Sequence, residues 1–389
     1  MRRLTREARL RIGVVAPAVL PVPPIGYGGI ERVVSELVEG LVANGHDVTL
    51  FASEGSVTNA RLISPLATPV PLGHPDALAD ESYHAATAYL HAREFDIIHD
   101  HTSAGPLFGA VSRWDTRVIH TLHGTWTPQN RRMAALINRR VGLVAISRAQ
   151  RTANPQLHYA DMVYNGINLA SHPFNPAKED FLVFVGRITS EKRPEIAIDV
   201  ARKAKLPLVM MIKRSEPAEQ AYWRDVVAPR LGSDVTVLDE PSHAVKVDLL
   251  GRARAMLFPI DWPEPFGLVM TESMACGTPV IASSLGAAPE VIADGTTGFL
   301  CSTVEQMVNA VGRAKDLKAQ DCRDRVVRRF SSEVMVAGYE RVYRNALERE
   351  TVRDIASGGS SRANARGSNP CRTLDVTVPP QVLPNVLAD

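Results

Sequence analysis

Cysteine is scarce in this 389-residue chain: Cys276, Cys301, Cys322 and Cys371 are the full complement. They are scattered, with neither metal-ligand nor redox spacing, so reduced thiols in a cytoplasmic protein are expected. No apolar run approaches transmembrane length. No charge predominates either. Lys and Arg number 44 against 42 Asp and Glu, which gives no support for a nucleic-acid partner. The start, with Arg2, Arg3, Arg6, Arg9 and Arg11, is a local exception. It reads as a solvated arm, with weak peripheral contact to an anionic membrane as the alternative. The same start imitates a signal peptide. However, Pro17, Pro21, Pro23 and Pro24 would interrupt any apolar helix, so a first β-strand is expected instead.

What is present is an ordinary apolar fraction, enough for a large core, in a length that suits two or three domains. Strand-like runs at Ile12–Ala16, Asp47–Phe51, Phe95–His99, Arg117–Leu122 and Gly142–Ile146 fill the first half. A helical pattern follows the first of them, with Ile30, Val33, Val34, Leu37 and Leu41 on one face and Gly45 as its stop. Residues 53–82 are punctuated by Pro and Gly and carry no clear pattern. After the turn-rich stretch 165–176 the alternation restarts. Strands are expected at Phe181–Val185, Pro207–Ile212, Val235–Leu238, Ala255–Ile260 and Pro279–Ala282. Helices are expected over 194–205, 217–230, 244–253, 267–276 and 288–293. Such alternation favours parallel sheets covered on both faces, and two units in series give two doubly wound domains. Ligands of such sheets bind at the carboxyl ends of the strands, so facing domains would enclose a cleft. A helix is expected near 332–349, and 352–389 has the composition of a disordered tail.

The most informative segment is Glu264-Pro-Phe-Gly-Leu-Val-Met-Thr-Glu272, directly after an apolar strand. It reads as a loop bearing a carboxylate, a helix start, and a second carboxylate about two turns in. A helix start has unpaired N–H groups and a positive dipole end, which suit a phosphate. Two acids beside it suit hydroxyl groups, as on a sugar and a ribose. Val185-Gly-Arg-Ile-Thr-Ser-Glu-Lys-Arg-Pro194 again joins strand to helix. Arg187 and Lys192 there would neutralise a diphosphate without a metal, while Arg193 reads as solvated. Gly26-Tyr-Gly-Gly29 reads equally as a tight turn or as a close approach to a ligand. His99, His101, His120 and His123 lack the acidic company of an established metal set, so no metal site is expected. His123 ends a buried strand and is either a cleft residue or a satisfied strand-end histidine. Trp262, Glu290 and the turn Asp294–Gly298 are expected to be structural, and Lys213 solvated.

Together these segments resemble the retaining glycosyltransferases of family 4, which have the GT-B fold. The resemblance covers roughly nine-tenths of the chain. It rests on Gly26-Tyr-Gly-Gly-Ile-Glu31, Asp96-Ile-Ile-His-Asp-His101, His123-Gly, Asn165-Gly-Ile-Asn168, Gly186-Arg-Ile-Thr-Ser-Glu-Lys192 and Pro263 through Pro279 with its two glutamates. It implies two Rossmann-like domains, an acceptor-side one over 1–168 and a donor-binding one over 169–331, with the last helix crossing back to the first. It implies that Gly28 and Gly29 bring N–H groups to a donor diphosphate that Arg187 and Lys192 bind. Glu264 would contact the transferred sugar, near His123. Phe266, Gly267 and Leu268 would offer main-chain donors, and Glu272 would hold the ribose. The implied reaction moves a sugar from a nucleoside diphosphate to an unidentified acceptor hydroxyl, with retained configuration and no metal or other cofactor. A GT-B epimerase of nucleotide sugars and a non-catalytic binder of them are the alternatives. A dehydrogenase is disfavoured because no Gly-x-Gly-x-x-Gly follows either first strand. One departure from the family is Lys213-Arg-Ser-Glu216, where many relatives have a glycine-rich turn.

Overall fold

The structure, a computed structural model, describes residues 9–70, 76–112 and 114–356, with side chains to residue 348. In the first half, strands and helices follow in the order β1 (Arg11–Val15), α1 (Gly29–Ala43), β2 (Asp47–Phe51), β3 (Arg61–Ile63), α2 (Ala77–Leu90), β4 (Ile97–Asp100), α3 (Gly105–Val111), β5 (Arg117–Leu122), α4 (Pro128–Ile137), β6 (Gly142–Ala145), α5 (Arg148–Thr152) and β7 (Tyr159–Met162). The second half continues with β8 (Glu179–Arg187), α6 (Pro194–Ala204), β9 (Leu208–Lys213), α7 (Pro217–Tyr222), β10 (Val235–Asp239), α8 (His243–Arg252), β11 (Ala253–Phe258), α9 (Leu268–Ala275), β12 (Val280–Ser283), α10 (Ala288–Val291), β13 (Gly298–Cys301), α11 (Val304–Ala314), α12 (Ala319–Arg329) and α13 (Ser332–Ala356).

The strands form two sheets. The first has the order β3-β2-β1-β4-β5-β6-β7 and the second β10-β9-β8-β11-β12-β13, and every strand pair is parallel. Parallel strands need crossovers, and those crossovers cover both faces of a sheet. That is why the central strands read as continuous apolar runs. Val14, Val15, Leu182, Val183, Met256 and Leu257 are all buried to about the same degree whichever face they point to. In each sheet the order reverses beside the first strand, which opens a crevice at the carboxyl ends there.

The last helix belongs to the first sheet's core. Met335, Val336, Tyr339, Val342 and Tyr343 pack in one cluster with Ile12, Val14, Val33, Leu37 and Leu41. The approach is close enough that a Cβ on Gly40 of α1 would lie 2.4 Å from Val336. Tyr339 and Tyr343 are fully buried and their hydroxyls are used: Tyr339 bonds Thr121 at 2.9 Å, and Tyr343 bonds His99 at 2.7 Å.

Differences from the sequence reading have local causes. The expected helix over 217–230 is helical throughout but changes its winding: it is α-helical to Tyr222, π-helical over Trp223–Val227 and 3-10 over Ala228–Arg230, where Pro229 has no N–H to give. Strands β3, β7 and β13 were not expected; they are three or four residues long and sit at or near sheet edges. Residues 352–356, expected to be irregular, are helical. The rest of that expectation, 357–389, lies outside the described residues, as do Arg2, Arg3 and Arg6. Among the described residues no helix is long and apolar enough to cross a membrane.

Because α13 fills the first core with aromatic rings, Tyr343→Ala should cost about 3–5 kcal/mol in chemical denaturation. A loss below about 1 kcal/mol would contradict this packing.

Candidate active site

A cleft runs between the carboxyl ends of the two sheets, with a cavity of about 130 Å³. From the first half it is lined by the glycine loop Gly26–Gly29 and by Arg32. From the second it is lined by Gly186, Lys213, Lys246, Leu268 and Glu272. The two halves touch here: Leu268 packs against the first half's core cluster, and a Cβ on Gly29 would lie 3.5 Å from its Cδ1.

Two helices start at this cleft without a side-chain cap. α1 is preceded by Gly28 and α9 by Gly267, and neither glycine has a side chain to accept from the first turn. By contrast Ser242 caps α8 and Thr303 caps α11. The uncapped starts leave their N–H groups for another partner. The glycines are required sterically. A Cβ on Gly28 would lie 2.6 Å from Pro24, and Gly267 has φ 82°, a left-handed conformation. The Phe266 ring packs near Tyr164 and Phe330, so only its main chain is left for a ligand.

Arg187, Lys192, Lys213 and Lys246, in or beside the cleft, are each held by a carboxylate, whereas Arg32 donates to the Gly26 carbonyl at 3.4 Å. Lys192 pairs with Glu264, and both are mostly buried. Trp262 donates its indole N–H to Glu264 Oε2 at 3.0 Å, and the Lys192 ammonium sits 5.0 Å from the Trp262 ring and 5.3 Å from that of Phe258. The Glu264 main chain lies against Gly286, whose φ of 55° and missing Cβ leave room for it. Arg187 Nη1 lies 3.7 Å from Glu219, a carboxylate only 1% exposed that also takes Lys213 at 3.3 Å. Desolvation raises the Tyr27 phenol, in the glycine loop, above its ordinary range, with the Arg187 charge opposing it.

Glu272, on α9, is a deeply buried acid, 3% exposed. Its burial alone would raise its pKa. Lys246, bonded at 2.7 Å, and His172, 3.8 Å away, outweigh that and hold it well below the usual carboxylate range. Both contacts use Oε1, leaving Oε2 without a partner among the described residues.

Of the expected site residues, Gly28, Gly29, Leu268 and Glu272 line the cleft itself; Arg187, Lys192, Glu264, Phe266 and Gly267 adjoin it in sequence without lining it. His123 does not line it either; its Nε2 bonds His101 Nδ1 at 2.8 Å. The ring of His101 lies 4.1 Å from that of His99, which bonds Tyr343 and Thr121, and His120 bonds the Asp100 carbonyl. Burial keeps all four histidines neutral. It lowers His120 to about 4 and His123 to about 3, and His99 and His101 well below the ordinary value. Among the described residues no group of three or more His, Cys, Asp or Glu is arranged to hold a metal ion.

Three readings change. Lys213 is not a solvated lysine but a mostly buried cation of the cleft, paired with Glu216 and Glu219 and 5.4 Å from the Tyr27 ring. Trp262 packs in part, yet its N–H is engaged at the site. Glu290 is structural over a longer range than a helix start: it accepts from the main-chain N–H groups of Arg148 and Ala149 and from the Tyr164 hydroxyl, joining the two halves. Lys246, Glu219 and Gly286 went unnoticed in the sequence. Only Gly286, a glycine following a strand end, carried any signal there.

Two outcomes follow from these charges. Lys246→Met leaves a buried carboxylate unpaired, so stability at pH 7 should fall by about 3 kcal/mol. Glu272 has a depressed folded pKa, so the stability it contributes is present above its unfolded value near 4.5 and lost as pH falls. The gap between variant and wild type should therefore narrow below about pH 4.5, as read by denaturant titration. A gap independent of pH would show that Glu272 is not the partner. For the histidines the unfolded state takes protons first, below about pH 6.5, while the folded state resists. Stability should decline from pH 6.5 toward 4, and His120→Gln should lower that slope by up to about 1.4 kcal/mol per pH unit. An unchanged slope would mean that His120 is protonated in the fold.

The description "Glycosyl transferases group 1" matches residues 169–327, and "Glycosyltransferase Family 4" matches residues 27–171. Among curated proteins, the D-inositol 3-phosphate glycosyltransferase of Mycolicibacterium smegmatis is 26% identical over 246 residues, 53% of this chain and 56% of that protein. The protein of the same name from Mycobacterium tuberculosis is 29% identical over 247 residues, 54% of this chain and 51% of that protein. The chain thus spans about half the length of the curated relatives it matches. Among solved structures, AviGT4, a glycosyltransferase involved in avilamycin A biosynthesis, superposes with a TM-score of 0.66 at 26% identity, over 87% of this chain and 98% of that one. Sucrose-phosphate synthase from Thermosynechococcus elongatus gives a TM-score of 0.71 at 22% identity, over 88% of this chain and 100% of that one, a likeness of fold. With two Rossmann-like parallel sheets in the GT-B arrangement and family matches that run from 27 to 327, the chain belongs to the family 4 glycosyltransferases.

Proposed function

We propose that this chain transfers a sugar from a nucleoside-diphosphate sugar to an acceptor hydroxyl, with retained anomeric configuration and without a metal. The observation that carries the reading is the gathering, in and beside one cleft, of two uncapped helix starts, the cations Arg187 and Lys192, and two separate carboxylates that each keep one oxygen free. A diphosphate has the charge to draw on the N–H groups and cations. The two acids would repel it and suit hydroxyl groups instead.

In this reading the nucleotide's ribose hydroxyls donate to Glu272 Oε2. The transferred sugar's hydroxyls donate to Glu264 Oε1, and the diphosphate lies between the starts of α1 and α9. As the glycosidic bond lengthens, positive charge grows on the sugar ring and negative charge on the departing phosphate. Arg187, Lys192 and the α9 start stabilise the latter without having to reorganise, since their carboxylate partners already hold them in place. The acceptor attacks from the face the phosphate leaves, and a phosphate oxygen takes the acceptor's proton. No enzymic nucleophile is needed, and Glu264, already engaged by Lys192 and Trp262, is not assigned that role. His123, which follows β5 and bonds His101, lies outside the cleft lining and is given no step in the transfer.

Purified protein should release nucleoside diphosphate from at least one member of a panel of UDP- and GDP-hexoses, with EDTA present. Arg187→Ala and Lys192→Ala should each lose about 10²–10³ in rate while remaining folded. NMR of the glycoside formed should show the donor's anomeric configuration. An inverted product, or near-normal turnover in both variants, would overturn the reading; strict metal dependence would overturn its metal-free part.

A further inference from the structure

Trp262 touches both members of the pair on which the proposed transfer depends. Its Nε1 donates to Glu264 Oε2 at 3.0 Å, and the Lys192 ammonium lies 5.0 Å from its ring centroid. Lys192 also bonds Oε2, so both contacts load the same oxygen and leave Oε1 without a partner among the described residues. A carboxylate held on one oxygen by two directions at once has lost its rotation, and its second oxygen has a fixed aim.

The loop around Trp262 is built to hold that geometry. Pro263 and Pro265 follow Trp262 and Glu264 directly, and a residue before proline is confined to extended conformations. Glu264 N–H donates to the Trp262 carbonyl at 2.9 Å, Ala287 N–H donates to the Glu264 carbonyl at 2.9 Å, and Asp261 N–H donates to the Glu191 carbonyl at 2.8 Å. The last bond ties the Trp262 loop to the loop that carries Lys192. An aromatic needed only for filling would leave its polar atom at the surface; this one spends its single donor on the site's carboxylate.

We propose that Trp262 is a positioning residue: its N–H fixes Glu264 with Oε1 toward the transferred sugar, and its ring face keeps the Lys192 ammonium beside the leaving phosphate. The two actions are separable because one needs the N–H and the other only the π face. The inference rests on the sugar-transfer reading for its kinetic consequence, but the hydrogen bond itself does not.

The test replaces Trp262 with 3-benzothienylalanine, an isostere with sulfur in place of N–H, and separately with Phe and Leu. Affinity for UDP and GDP is measured by calorimetry, and turnover on whichever nucleotide hexose the wild type uses best. The isostere and Trp262→Phe should bind the better nucleoside diphosphate within about twofold of wild type, yet lose about 10- to 100-fold in kcat, as for loss of a hydrogen bond to a charged group. Trp262→Leu should in addition weaken the nucleotide, by about three- to thirtyfold, through loss of the cation–π contact. An isostere with wild-type kcat, or one whose nucleotide affinity falls as far as its kcat, overturns the proposal. An activity-independent arm separates this from failure of the functional reading. The chain has four tryptophans, so the indole ¹H–¹⁵N signal missing in Trp262→Phe identifies itself. That signal should shift in Glu264→Gln, and a signal that stays put overturns the proposal even if no donor is ever found.

Discussion

Helix α9 begins at a left-handed Gly267, and every residue from Met270 to Ala275 is buried. Glu272 is therefore taken out of water by a helix that has nowhere else to go, and a buried carboxylate is stable only if a cation meets it. Lys246 from α8 does so, with His172 from the segment joining the halves beside it. This one interaction sets the positions of two helices and orients the free Glu272 oxygen. It also fixes the α9 start, and through it the loop that bears Glu264. The cleft's chemistry is in this sense a consequence of burying α9.

The same logic recurs around the cleft. Arg187 and Lys213 share the buried Glu219, and Lys192 is held by Glu264. Cations tethered this way have little conformational freedom left to lose when an anion arrives, which is what preorganisation requires. The arrangement depends on the two halves staying in register. Glu290 bonds the start of α5 from the far side of the boundary, and α13 leaves the second half to complete the first core. The neutral histidine network from Tyr343 through His99 to His101 and His123 extends that core up to the strand end.

Much of this was legible in the sequence wherever chemistry is local. The Glu264–Glu272 spacing across a Phe-Gly step, the strand–loop–helix at Gly186–Pro194 and the glycine loop before α1 each lie within about ten consecutive residues. Most buried strands were found because parallel strands are apolar on both faces. What escaped was non-local. Lys246 sits 26 residues before Glu272, and nothing near it in sequence says that it must neutralise an acid. Glu219 lies on a helix whose neighbours are ordinary, and its importance comes from strands β8 and β9 delivering Arg187 and Lys213 to it. Glu290 looked like a residue of its own helix start because its partners are some 140 positions away. Trp262 looked like filler because a ring packs whether or not its N–H is engaged. Edge strands of three or four residues have too few positions to show a period.

In the proposed function, Glu264 and Glu272 are separate handles on one donor, the first for the sugar that moves and the second for the nucleotide that remains. Calorimetry of the free nucleoside diphosphate with Glu264→Ala and Glu272→Ala tests this most directly, because the ligand has a ribose but no sugar to transfer. The account predicts a marked loss of affinity in Glu272→Ala and an affinity close to wild type in Glu264→Ala. Equal losses in both variants, or an unchanged affinity in Glu272→Ala, would contradict it.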